Sequence, residues 1–154
     1  MANQRWVFVV QALDRPGTLT AAAAVFSNRG VSLEGILGSG IAPTTVEEGR
    51  VILSFRATAQ KQKLLHRALE RLSSIFQVTV YTDDDERLRA IAVAKLQLDT
   101  AVTQNDDYFV ETIAQTDTER MVMLTGTPLA VETALAQFRQ QNQLTDVVMS
   151  YIAV

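Results

Sequence analysis

Residues 5–13, RWVFVVQAL, place Trp6, Phe8 and Val10 on one side of an extended chain and Val7 and Val9 on the other. A β-branched and aromatic run that is apolar on both sides predicts a strand covered on both faces. The pattern then changes period. After Asp14-Arg15-Pro16-Gly17, the positions Leu19, Ala22, Ala23, Phe26 and Arg29 recur at helical spacing, and Gly30 is suited to close the helix at C′. Residues 32–41 predict a second strand, loosened by Gly35, Gly38 and Gly40, and residues 42–49 a turn-rich connection. A third strand is expected over 50–58, with Val51, Leu53 and Phe55 inward. An amphipathic helix follows over 59–73, with Leu64, Leu65, Ala68, Leu69 and Leu72 as its apolar stripe, and residues 77–82 supply a fourth strand.

β-α-β-β-α-β within about 80 residues is the split βαβ arrangement of ferredoxin-like folds. Two helices then cover one face of a four-stranded antiparallel sheet, and the other face calls for a second domain or a second copy. Beyond the polar stretch DDDER, residues 83–87, a similar order returns. It has a strand over 89–98, a loop over 99–107 and a hairpin built from YFVETIAQT and ERMVMLTG. A helix over 127–141 opens with Thr127 and Pro128, and a last strand covers 146–154. This half reads as a degenerate repeat whose first helix is missing or reduced to a turn.

Composition narrows the chemistry. The 154 residues carry a net charge of −3 with no long basic run, which argues against a nucleic-acid phosphate backbone as partner. The chain has no cysteine, which excludes a thiol nucleophile, a cysteine-based zinc site and a disulfide framework. No apolar run reaches membrane-spanning length and the first residues lack a signal-type apolar core, so the expectation is a cytoplasmic protein without membrane partners. The single histidine, His66, falls on the second helix and has no second histidine with which to hold a metal. Asp83, Asp84 and Asp85 read as a solvated linker. The glycines of GILGSG do not follow a dinucleotide-binding order, and no nucleophile elbow is present. Neither catalytic residues nor a metal nor a cofactor is implied.

The joint ALDRPGTL remains. Pro16 fixes its own φ, pushes Arg15 towards an extended conformation and belongs at a helix start, while Gly17 leaves the first turn without a bulky side chain. The amide groups at such a terminus attract a carboxylate, and Asp14 beside them can take an ammonium group, which together suit a free amino acid. The same residues also make an ordinary turn and cap. Both readings stand on the residues alone.

ALDRPGTLTAAAAVFSNRGVSLEGI, with the strand, the amphipathic helix and VTVYT that follow, resembles the ACT domain, a ferredoxin-like module that binds amino acids and regulates metabolic enzymes. With ERLRAIAVAKL (86–96) and residues 109–141 added, the order is similar to the small regulatory subunits of acetohydroxyacid (acetolactate) synthase. The resemblance implies an α+β chain: a ferredoxin-like βαββαβ ACT domain over 1–82, a linker over 83–88, and a degenerate, truncated ferredoxin-like domain over 89–154. It implies a homodimer that binds a branched-chain amino acid, usually valine, between two ACT domains and regulates a catalytic, thiamine-diphosphate-dependent large subunit. The family's loop contacts fall on Asp14 and Gly17, with Arg15 and Pro16 between them and Thr18 next. A further contact, usually asparagine, falls on Ser32, beside Leu33. Ser32 is shorter than asparagine and lacks its paired donor and acceptor. A free-standing amino-acid sensor of other specificity and a ligand-free dimerisation module are the alternatives.

Overall fold

The computed structural model describes residues 2–40 and 48–154. Along the chain run β1 (Gln4–Leu13), α1 (Thr18–Ser27), β2 (Leu33–Gly40), β3 (Glu48–Ala57), α2 (Ala59–Glu70) and β4 (Ile75–Thr82). They are followed by β5 (Arg89–Gln97), β6 (Tyr108–Gln115), β7 (Glu119–Gly126), α3 (Pro128–Gln140) and β8 (Leu144–Ile152). The chain divides into two compact units, Met1–Asp83 with Ala153–Val154, and Asp84–Ile152. Of the expected connection over 42–49, residues 42–47 lie outside the described residues, while Glu48 and Gly49 begin β3 instead of ending a turn.

In the first unit the antiparallel sheet has the order β2-β3-β1-β4, the ferredoxin-like arrangement that the β-α-β-β-α-β pattern predicts. β1 lies inside the sheet, between β3 and β4, and both of its faces carry buried apolar residues. Phe8, Leu53 and Phe55 point to the helices and are fully buried; Val7 and Val9 are buried on the opposite face. Phe8, Phe26 and Phe55 meet edge to face, with ring centroids 4.8 Å apart for Phe8–Phe55, 4.9 Å for Phe26–Phe55 and 6.2 Å for Phe8–Phe26. Trp6 is satisfied by donating its indole N–H to the Ala57 carbonyl at 3.0 Å.

Both helices are rotated slightly from the expected facing. α1 buries Thr18, Ala22, Val25 and Phe26, so Val25 takes the place expected for Leu19, which is 44% exposed, and Ala23 is only half-buried. Packing Phe26 against Phe8 and Phe55 centres the buried stripe on 18, 22, 25 and 26, one helical face that leaves Leu19 on its flank. α2 likewise buries Gln62, Leu65, Ala68 and Leu69, and Leu64 is 49% exposed. The helix is capped at Thr58, whose hydroxyl accepts from the Lys61 N–H at 3.2 Å. Gly30 does close α1: with φ 68°, its N–H bonds the Ser27 carbonyl while the Val31 N–H reaches Phe26, a Schellman closure. His66 pairs with Glu70 one turn on, at 2.9 Å, on an exposed face.

The second unit has the order β6-β7-β5-β8, the same as the first. Among the described residues no helix stands between β5 and β6. α3 packs on the sheet and buries Val131, Leu135 and Phe138, while Ala92, Leu96 and Leu124 are among the buried residues of β5 and β7. Thr127 caps it, accepting from the Ala130 N–H at 3.3 Å, with Pro128 at the first helical position. The loop that replaces the missing helix is pinned at two points. Asn105 accepts from the amides of Asp107 and Tyr108 at 2.8 and 3.0 Å, and the Gln104 amide pairs with both backbone groups of Val110. Among the described residues no helix is long and apolar enough to cross a membrane.

Gly126 is where this loop meets β7: a Cβ there would stand 2.6 Å from the Asp107 carbonyl oxygen and 3.0 Å from Tyr108 Cα. Both obstacles are backbone, so Gly126→Ala should destabilise the chain by about 1–3 kcal/mol in chemical denaturation. An unchanged midpoint would show that the loop does not hold this approach. In the linker, hydrogen bonds from the Arg87 side chain and backbone lower the Asp85 carboxyl to about 2. Its folded value lies below the ordinary carboxylate value of about 3.9, so what the pair contributes is present above that value. It is lost as the pH falls through 2. NMR titration should find the Asp85 midpoint rising in Arg87→Ala, part of the lowering remaining because the backbone N–H of residue 87 still donates.

Candidate ligand site

β1 ends at Leu13, whose N–H is still held by the Ser74 carbonyl at 2.8 Å, and the chain then turns sharply. The Arg15 N–H bonds back to Leu13 at 3.0 Å and the Thr18 N–H to Arg15 at 3.3 Å. Gly17 is the N-cap residue, in the left-handed region with φ 88°, which the missing side chain allows, and it supplies no side-chain cap to α1. The first turn therefore presents its amides without the serine, threonine or aspartate oxygen that covers them at most helix starts. Thr18 is buried beneath this turn, while Asp14, Arg15, Pro16 and Gly17 are exposed.

The Asp14 side chain lies across the ends of two neighbouring strands. Gly40 of β2 faces Gly49 of β3 in register, and Gly49 faces Ala12 of β1. A Cβ on Gly40 would stand 2.9 Å from Asp14 Oδ2, and one on Gly49 would stand 3.5 Å from Asp14 Cβ. The two glycines thus make the space that the carboxylate occupies. Among the described residues no hydrogen bond or ion pair engages it. Asp14, Arg15 and Thr18 line a cavity of about 240 Å³ together with Leu19, Ser39 and Arg50, and Arg50 is held by Glu48 at 2.7 Å. The joint and this cavity offer a carboxylate, a guanidinium and an open helix start within one small concavity, the chemistry that a zwitterion requires.

Ser32 is not brought to this place. It opens onto a separate cavity of about 420 Å³, near Gly30 and Lys61, and Leu33 turns inward to pack, half-buried, against the core. Gly40, Gly49, Ser39 and Arg50 were not singled out by the sequence reading of the joint. The signal for them was two glycines, one near the end of GILGSG and one near the start of the next strand, which only strand pairing shows to be opposite each other. Among the described residues no group of three or more acidic or histidine side chains is placed to hold a metal.

The second unit has a corresponding joint, with different contents. The Gln97 N–H bonds the Gln143 carbonyl at 3.0 Å as Leu13 bonds Ser74, so Leu96 stands where Ala12 does and its partner Arg120 stands where Gly49 does. The Arg120 guanidinium donates to the Thr100 carbonyl, crossing the space that two glycines open in the first unit.

Neither a family model nor a curated protein matches the sequence. Among solved structures, the chain is similar to the acetolactate synthase small subunit from Thermotoga maritima. The TM-score is 0.72 at 16% identity, and the match covers 98% of this chain and 96% of that one. It also matches the regulatory subunit of aspartate kinase from Thermus thermophilus in its ligand-free form, with a TM-score of 0.49, 14% identity and coverage of 90% and 94%. At 16% identity the first of these likenesses shows fold, and it runs through both units. Strand order, the twin antiparallel sheets and the full-length match together give the architecture: this chain has the two-unit, ferredoxin-like fold also found in the acetolactate synthase small subunit from Thermotoga maritima.

Proposed function

We propose that the chain is a non-catalytic regulatory protein. It binds a small amino acid of the branched-chain, valine-like class where two copies of its first unit meet, and it modulates a partner enzyme, the acetolactate synthase large subunit. The observation that carries this reading is the Asp14 carboxylate, unpartnered among the described residues, lying over Gly40 and Gly49 beside a helix start with no side-chain cap. Asp14 takes the ammonium group of the ligand, the amides at the start of α1 take its carboxylate, and Leu19 at the cavity rim meets an aliphatic side chain. Ser32 and Asp14 line separate cavities in one chain, so a site that uses both needs a second copy. The exposed Ile36 on edge strand β2 supports such an interface. The likeness to a synthase small subunit over nearly the whole chain supports the choice of partner.

A second reading, a sensor of other specificity with a different partner, is favoured by Ser32 itself, whose hydroxyl cannot make the paired contacts of an amide. A thermal-shift panel of the common amino acids separates the two. A ligand at one hundred times its dissociation constant adds about 2.7 kcal/mol, which raises the midpoint of a chain near this size by several degrees. The expected outcome is a shift with valine, leucine or isoleucine that Asp14→Ala abolishes. A shift confined to another amino acid supports the sensor, and none with any of them removes the proposal. Gly40→Ala should lose the same response while changing the ligand-free midpoint little, because its new methyl meets only the movable end of an exposed side chain. Retention of the full shift in that variant would sink the role given to Asp14.

A further inference from the structure

The cavity at Ser32 has a chemistry of its own. It lies where the end of α1, the start of β2, the end of β3 and the start of α2 converge, and its polar lining includes Asn3, Ser32, Glu34, Arg56 and Lys61. Its one carboxylate, Glu34, is already committed on both oxygens, to Arg5 Nε and to Arg56 Nε, each at 2.9 Å. Arg5 is buried, so this pairing is anchored below the surface. The Thr58 hydroxyl is committed as well, to capping α2. Among the described residues no hydrogen bond or ion pair engages the terminal nitrogens of Arg56, the Lys61 ammonium, the Ser32 hydroxyl or the Asn3 amide. Donors and positive charge therefore converge on a concavity whose one carboxylate is already paired, on a chain whose net charge is −3.

We infer that this cavity is a binding site for a small oxyanion, a carboxylate or a phosphate. Arg56 and Lys61 supply the charge, and Ser32 and Asn3 orient the oxygens. Arg56 is held in place by the same Glu34 that neutralises one of its faces, leaving its outer nitrogens to the ligand. All of these groups come from one chain, and of them only Ser32 is also given to the amino-acid site proposed above, so Asn3, Arg56 and Lys61 distinguish this site from that one.

Titration calorimetry of the full chain with inorganic phosphate, and separately with succinate, tests the inference and distinguishes the two sources. Saturable binding of either anion is expected, and the stronger of the two names the class. Lys61→Gln and Arg56→Gln should each weaken it about tenfold, while Asp14→Ala leaves it unchanged. Among the described residues the Lys61 side chain makes no hydrogen bond or ion pair, and glutamine keeps most of its aliphatic stem, so Lys61→Gln should keep the wild-type melting midpoint and report on binding alone. The inference is overturned if neither anion binds saturably, or if both variants bind as tightly as the wild type.

Discussion

The contact on which the first unit depends is the edge-to-face cluster of Phe8, Phe26 and Phe55. One ring comes from the central strand, one from its neighbour and one from the last full turn of α1. Three rings meeting in this way fix both the distance of the helix from the sheet and its rotation about its own axis. With Phe26 seated, the helix must begin about two and a half turns earlier, at Thr18, and the chain must return from Leu13 within four residues. The Asp-Arg-Pro-Gly joint is what spans that gap, so the geometry of the candidate site follows from the core beneath it. The Gly30 closure fixes the other end of the same helix and delivers Ser32 and Leu33 to the start of β2.

What the joint can hold is decided by its neighbours across the sheet. In the first unit the strand ends opposite it carry Gly40 and Gly49, and the Asp14 carboxylate extends into the room they leave. In the second unit the corresponding place carries Arg120, whose guanidinium reaches the Thr100 carbonyl and leaves its own Nε and the buried Thr100 hydroxyl without partners among the described residues. Two copies of one topology thus differ at these strand ends, Gly49 giving way to Arg120 and Gly40 to Gln115. The first joint borders a small cavity, whereas at the second an arginine of the chain itself reaches the joint.

The two ends of α1 carry opposite chemistry. At its start a carboxylate without a partner among the described residues stands beside a turn with no side-chain cap. Past its end, two cations and two neutral donors surround a carboxylate that is already neutralised. Ser32 and Asp14 are eighteen positions apart in the chain and one helix length apart in space. Within one chain the two therefore line different cavities.

The order and type of the elements were legible because each has a strong local cause. Alternation in RWVFVVQAL, the helix start at Thr127-Pro128 and the stop at Gly30 act within a few residues of chain, and local sterics and hydrogen bonding settle them. The second unit's missing helix was likewise readable, since residues 99–107 carry no apolar period. The facing of α1 and α2 was not. An alanine-rich helix offers several nearly equivalent apolar stripes, and only the seating of Phe26 selected Val25 over Leu19. In the same way, the packing of α2 buried Gln62 and left Leu64 in solvent. The sequence determined that a strand stops and a helix starts at Asp14–Gly17. Only the tertiary structure decided what lies opposite that joint, because strand register sets Gly40 against Gly49 and Leu96 against Arg120, and register is a property of pairs of strands far apart in the chain.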